Sequence, residues 1–176
     1  MTVRTVLRMG DPRLLAPAEP VADLDTPELH KLVGDLWETM AANQGVGLAA
    51  PQIGIGLRVV VFAVSANPRY PQAEPIPPTA LVNPNLHPLS EARAEDWEGC
   101  LSLPGLGGVV PRYPRLRYTG FTPEGEPLDR EVTDFHARVV QHECDHIDGV
   151  LYPMRMPDLS RFGFTEELAE QRSQEL

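Results

Sequence analysis

The stretch "VVQHECDHIDG", residues 139–149, sets two histidines four positions apart with a glutamate directly after the first. In an α-helix of about 3.6 residues per turn, positions i and i+4 share a face. His142 and His146 therefore project side by side, and Glu143 leans to one edge of the pair. This is the HExxH arrangement: two imidazoles that can bind a metal ion and a carboxylate that can take a proton from an attacking water. The motif is short, and a catalytic site of this kind needs three protein ligands with one position left open, so the reading turns on the third ligand. Phe135, Val139, His142 and His146 fall along one stripe of a helix that starts near Thr133 or Asp134. Gly149 is placed to end it.

Upstream, "TPELHKLVGDLWETMAANQG" has Thr26 positioned to cap, Pro27 at the first helical position and apolar Leu29, Leu32, Val33, Leu36, Trp37 and Met40 at helical spacing. This predicts an amphipathic helix ending before Gly45. "LRVVVFAV" reads as a buried strand. The following "SANPRYPQAEPIPPT", residues 65–79, holds five prolines and is expected to be a surface loop. Shorter strand signals follow in "ALVNP", "AEDWEGCLSL", "GVVPR", "RLRYTGFT" and "EPLDREV", the last two joined by the turn "PEGE". Strands gathered between two helices predict an α+β fold: mostly antiparallel sheets packed around the metal-binding helix, with the amphipathic helix on the N-terminal side. The length, 176 residues, predicts a single domain over 1–176.

The formal net charge of −10 opposes general affinity for nucleic acid, which depends on neutralising phosphates. The arginines of "PRYPRLR" (Arg112, Arg115 and Arg117) are expected to guard a solvated strand edge. No apolar run is long enough to span a bilayer, and the opening "MTVRTVLRMGDPRLL" lacks the apolar core of a signal peptide. A cytoplasmic location is the expectation, with the two cysteines reduced.

Several residues compete to be the third ligand. In the extended HExxHxxGxxH pattern the glycine is present as Gly149, but Tyr152 stands where the last histidine belongs. Glu166 lies about twenty residues beyond the motif, the distance at which a second helix supplies a glutamate in thermolysin-like sites. It would also be the fourth ligand if the site were a closed structural one. Cys144 is about 200° round the helix from His142 and faces elsewhere. Cys100, in "WEGCLSLPG", is the other candidate, although a cysteine among strand-like residues is by itself more often core than ligand. The glycine-rich "GVGLAAPQIG", residues 45–54, follows a helix and contains Pro51, so it does not fit a dinucleotide-binding turn, which must follow a strand and open a helix. Its glycines suit close approach of an extended substrate, and Gln52 offers an amide donor.

Taken in order, "GVGLAAPQ" (45–52), "EGCLS" (98–102) and "QHECDH" (141–146) resemble the three motifs of the peptide deformylase family, GxGLAAPQ, EGCLS and QHExxH. The opening "VLRMGDPRLL" and the later "GVLYPMRM" are family-like as well, so the resemblance covers most of the chain. It implies a metal-dependent hydrolase that removes formyl from the N-terminal methionine of newly made polypeptides and releases formate. By the same resemblance Cys100, His142 and His146 hold one ion per chain, Fe(II) by preference, with Zn(II) or Ni(II) also suited to these donors. Glu143 is then the proton carrier, and Gln52 with the backbone NH of Leu101 stabilises the oxyanion. Gly45 and Gly47 hold the substrate as a strand, with its methionine side chain near Val46, Trp97 and Val139. Glu98 either orients the loop by pairing with Arg112 or is solvated.

Two departures stand out. Some relatives carry a basic residue where this chain has Gly107, which removes an ionic contact to the downstream peptide. The terminal "TEELAEQRSQEL" has four glutamates and one arginine. Any transient ribosome contact is therefore not expected through a basic C-terminal helix.

Overall fold

A computed structural model describes residues 2–65 and 74–169. Its elements are α1 (Pro27–Ala42), β1 (Gly47–Ala49), β2 (Val59–Val64), β3 (Ile76–Pro88), β4 (Ala94–Cys100), β5 (Leu103–Arg112), β6 (Arg115–Phe121), β7 (Pro127–Thr133), α2 (Asp134–Ile147) and β8 (Phe162–Phe164). Five strands form one sheet in the order β1-β2-β3-β6-β7, and three form a second in the order β4-β5-β8. Every pairing of strands is antiparallel. The α+β expectation holds.

The apolar run of β2 explains how two helices are seated on one sheet. Alternate side chains of a strand point to opposite faces. Val60, Phe62 and Val64 enter a cluster with Val139, Val140, Cys144 and Ile147 of α2. Val59 and Val61 enter another with Leu29, Leu32, Val33, Leu36 and Met40 of α1. A strand buried on both faces has no polar alternation, which is why "VVVFAV" is continuous.

Both helix ends follow local chemistry. The Thr26 hydroxyl accepts a hydrogen bond from the Leu29 NH at 3.2 Å, with Pro27 in the first turn. After α2, Gly149 adopts φ +73°, and a Cβ there would stand 2.6 Å from the Leu15 carbonyl oxygen. No other residue fits that turn without strain.

Two expectations need correction. The proline-rich stretch is not all loop: Ile76, Pro77, Pro78 and Thr79 belong to β3, while residues 66–73 lie outside the described residues. The prolines are tolerated because the pairing with β2 shifts between Phe62 and Val64, and β6 joins β3 only from Val82 onward. Pro77 and Pro78 thus occupy an edge and an irregularity, where no ladder donor is demanded. The arginines of "PRYPRLR" do not share one solvated edge either. Arg117 is exposed and pairs with Asp129, and β6 is an inner strand. Arg112 is buried within a charge network behind the site.

Candidate active site

Helix α2 presents His142, Glu143 and His146, and the end of β4 presents Cys100. Pairing between β4 and β5 slips after Gly99↔Gly107, so that Cys100 faces Leu103 across a tight turn made by Leu101 and Ser102. This turn brings the thiol to the helix: Cys100 Sγ lies 3.3 Å from His146 Nε2. One donor atom from each of Cys100, His142 and His146 lies within 4.8 Å of the others. Two imidazole nitrogens and a thiolate at that spacing suit a borderline-soft divalent ion and do not suit Mg(II). Cys144 points away into the apolar cluster, where burial pushes its thiol pKa far up. Glu166 is exposed and outside the donor group, which removes it as competing ligand.

Gln52 arrives from a short 3-10 turn directly after β1. Its carbonyl oxygen accepts from the Ala49 NH at 2.9 Å, which fixes the orientation of the amide. The NH2 group is thereby turned toward Ser102 Oγ at 3.1 Å and Cys100 Sγ at 3.5 Å. Gln52 is 1% exposed, so its donor is held in a dry setting beside the thiol.

Behind the donors lies a chain of buried charges. His142 Nδ1 is 2.8 Å from Glu98 Oε2, which leaves Nε2 as the nitrogen available to an ion. Glu98 also accepts from Arg112 Nε at 2.8 Å and Nη2 at 2.9 Å, and from Arg138 Nη1 at 2.8 Å. Arg112 reaches on to Asp145, which receives Arg155 from the surface side. Burial pushes the Glu98 carboxyl up, but the Arg112 and His142 hydrogen bonds outweigh it and hold the group well below the usual carboxylate range. The solvated alternative for Glu98 is excluded. Burial lowers His142 too, but its contacts to Cys100 and Glu98 raise it on balance; burial and the neighbouring His142 lower His146. Tyr152 stacks on the His142 ring at 6.1 Å between centroids and further restrains it.

Glu143 has a different environment. Burial raises its pKa to about 7. Its Oε2 is buried with no hydrogen-bond partner among the described residues. A carboxylate with an unspent acceptor and a pKa near neutrality is poised to exchange a proton with a small polar molecule.

Glu143 opens into a cleft of about 1120 Å³ that is also lined by Gly45, Val46, Gly47, Gln52, Trp97, Cys100, Leu101, Val139 and His142. His146 is buried behind it. All the sequence-derived site residues thus meet in one place. The reason for Gly47 differs from the expectation of substrate approach alone. A Cβ at Gly47 would fall 2.2 Å from Glu143 Oε1, so the glycine makes room for the carboxylate. A Cβ at Gly45 would meet Leu101 Cδ1 at 2.9 Å. Arg138, Asp145 and Ser102 were not singled out from sequence. The available signal for Arg138 was its place four residues before His142, on the same helical face.

Antiparallel sheets around a helix that brings two histidines, a cysteine and a buried glutamate to one cleft define a hydrolase of the HExxH class with a thiolate in its donor set. A sequence profile of the polypeptide deformylase family matches residues 3–162. Peptide deformylase 1 of Nitrosomonas europaea is 60% identical over 166 residues, covering 94% of each chain. Peptide deformylase 2 of Ralstonia nicotianae is 58% identical over the same length, again covering 94% of each. Among solved structures, the Met-Ala-Ser-bound class I type b peptide deformylase of Acinetobacter baumannii superposes with a TM-score of 0.85 at 36% identity, covering 88% of this chain and 99% of that one. The peptide deformylase of Thermotoga maritima gives 0.80 at 34% identity, covering 90% and 100%. The chain belongs to the polypeptide deformylase family, whose activity removes the N-formyl group from nascent peptides.

Proposed function

We propose that Cys100, His142 and His146 hold one divalent ion, Fe(II) by preference, and that Glu143 carries the proton in hydrolysis of formyl-Met peptides. The observation that carries this reading is the unpartnered, buried Glu143 Oε2 beside three donor atoms within 4.8 Å of one another. When bound, the ion supplies Lewis acidity, which polarises the formyl carbonyl and makes water nucleophilic near neutral pH. A thiolate donor favours Fe(II) or Zn(II), and Ni(II) accepts the same set.

The chain's own residues do the rest. Among the described residues β1 has a strand on one side only, so its open edge, with the backbone of Gly45 and Gly47, can pair with an extended peptide. Val46, Trp97 and Val139 offer apolar surface to the methionine side chain. The Met-Ala-Ser bound by the Acinetobacter relative supports a substrate that begins with methionine. Glu143 takes a proton from the attacking water and returns it to the departing amide nitrogen, so that formate and a free amine leave. The Leu101 backbone NH and the Gln52 amide donate to the oxygen that becomes negative. Each such donor contributes about 3–4 kcal/mol in comparable sites. Glu98 fixes the His142 ring through Nδ1 and is a positioning residue.

The whole chain, 1–176, acts as one catalytic domain in the cytoplasm, serving protein biosynthesis. Among the described residues no helix is long and apolar enough to cross a membrane. Any ribosome contact uses surfaces other than a basic C-terminal helix; residues 170–176 lie outside the described residues. The test is formate release from formyl-Met-Ala-Ser by freshly purified protein handled anaerobically, with metal per chain measured on the same sample. Stoichiometric metal without formate release would refute the reading.

A further inference from the structure

The cleft has two unlike ends. Its inner end is closed by Trp97, Glu98, Val139 and Glu143, all buried. Its outer end is lined by exposed residues, among them Val3, Thr5, Arg8, Asn43 and Pro104. A peptide whose formylated terminus is held at the inner end must leave by the outer one.

Charge is unevenly spent along this path. The acids that line the cleft are Glu98 and Glu143, both at the buried end. Of the three lining arginines, Arg138 is bonded to Glu98, and Arg4 is bonded to Asp35 at 2.7 Å. Arg8 has no carboxylate within ion-pair distance among the described residues. The nearest acid in sequence, Asp11, is taken by Arg13 at 2.6 Å. Gly107 contributes no charge.

Arg8 is also fixed in place. The Leu7 NH donates to the Gln52 carbonyl at 2.7 Å, and the Met9 NH donates to the Ser102 carbonyl at 2.8 Å. The backbone around it is thus tied on both sides to Gln52 and Ser102, both of which contact Cys100 Sγ. Leu7 packs against the apolar cluster around Leu14 and Leu103. Arg8, an exposed residue, lines the rim of the same cleft.

We infer that Arg8 is a specificity-determining residue: it binds carboxylates in the nascent peptide downstream of the formyl-methionine and favours chains that are acidic at the third and fourth positions. The net charge of −10 opposes acidic peptides at long range. Screening over about 8 Å at physiological salt weakens distant charges more than a contact at the rim. The local guanidinium therefore decides the sign. Because the contact is made equally before and during reaction, it acts on KM and leaves kcat in place.

The inference rests on the deformylase reading, and the two are tested separately. Formyl-Met-Ala-Glu-Glu-amide and formyl-Met-Ala-Gln-Gln-amide are compared at 0.15 M salt with metal-loaded protein. Turnover of the neutral peptide reports the deformylase reading alone. The acidic-to-neutral ratio of kcat/KM reports Arg8. It is expected to be about two- to five-fold in favour of the acidic peptide, the size of one exposed ion pair. The preference should lie in KM and shrink at 0.5 M salt. Arg8→Gln should bring the ratio to one or below, and Arg8→Glu should reverse it. Arg115→Gln, which removes an equal charge at an exposed position outside the cleft, should leave it. A wild-type ratio of one or below, or a preference that survives Arg8→Gln, overturns the assignment.

Discussion

Gly47→Ala is a small change with a large expected consequence. The added methyl would lie 2.2, 2.5 and 2.7 Å from Oε1, Cδ and Cγ of Glu143, where ordinary contact begins near 3.4 Å. Gly47 has no positive φ, so alanine is acceptable to the backbone and the whole conflict falls on the carboxylate. β1 is locked by its pairing with Phe62 and its neighbours, so the Glu143 side chain must give way by about 1 Å. A misplacement of that size at a reacting group costs about 10²-fold, or about 2.7 kcal/mol of transition-state stabilisation. Steady-state formate release should fall by that factor, while metal per chain remains near the parent value because His142 and His146 are not displaced. Overpacking should cost about 1–3 kcal/mol in urea unfolding, too little to abolish folding. In a Glu143→Gln background the same methyl should cost less than about threefold, since both changes act on one proton transfer. Activity within about threefold of parent for Gly47→Ala alone would show that Glu143, in this position, is not the proton carrier.

Glu143→Gln is expected to retain metal and lose about 10²–10⁴-fold in turnover, because a near-isosteric amide cannot accept the proton; near-full activity in the formate assay would exclude the role. Cys100→Ala should lose metal, whereas Glu166→Ala should keep it, as read by metal analysis after dialysis. The opposite pattern would move the third ligand. His136 has a pKa lowered to about 4 by burial and by Arg130, from 6.5. The unfolded chain therefore takes up this proton first, so the contribution of His136 to stability is complete above pH 6.5 and is lost as pH falls toward 4. Urea unfolding between pH 7 and 4.5 should show a shallower pH dependence for His136→Phe than for the parent, and equal slopes would refute the assignment.

Several features were legible because they depend on neighbours in sequence. Helical spacing fixed the common face of His142 and His146, and Thr26 with Pro27 and Gly149 marked helix ends by chemistry that acts within one turn. The continuous apolar run of β2 announced a strand buried on both faces. The three short motifs named the donor residues, and the structure brings those donors together. Pro77 and Pro78 misled because proline's cost depends on which neighbouring strand is present, and that is not written locally.

Sequence by itself determined which side chains are candidates for the chemistry and where both helices and most strands lie, since these follow from residue type and period. Only the tertiary structure decided their electrostatic state. Glu98 is a buried anchor for His142 because Arg112, on the facing strand, and Arg138, from the helix, converge on it. Glu143 is raised to about 7 because the fold withdraws water from it. Gly47 is required by a carboxylate 96 residues away in the chain, and Arg8 is left without an acidic partner among the described residues at a rim formed by three separate segments. Desolvation, charge pairing and steric exclusion act through space, so residues distant in the chain set them and no local pattern encodes them.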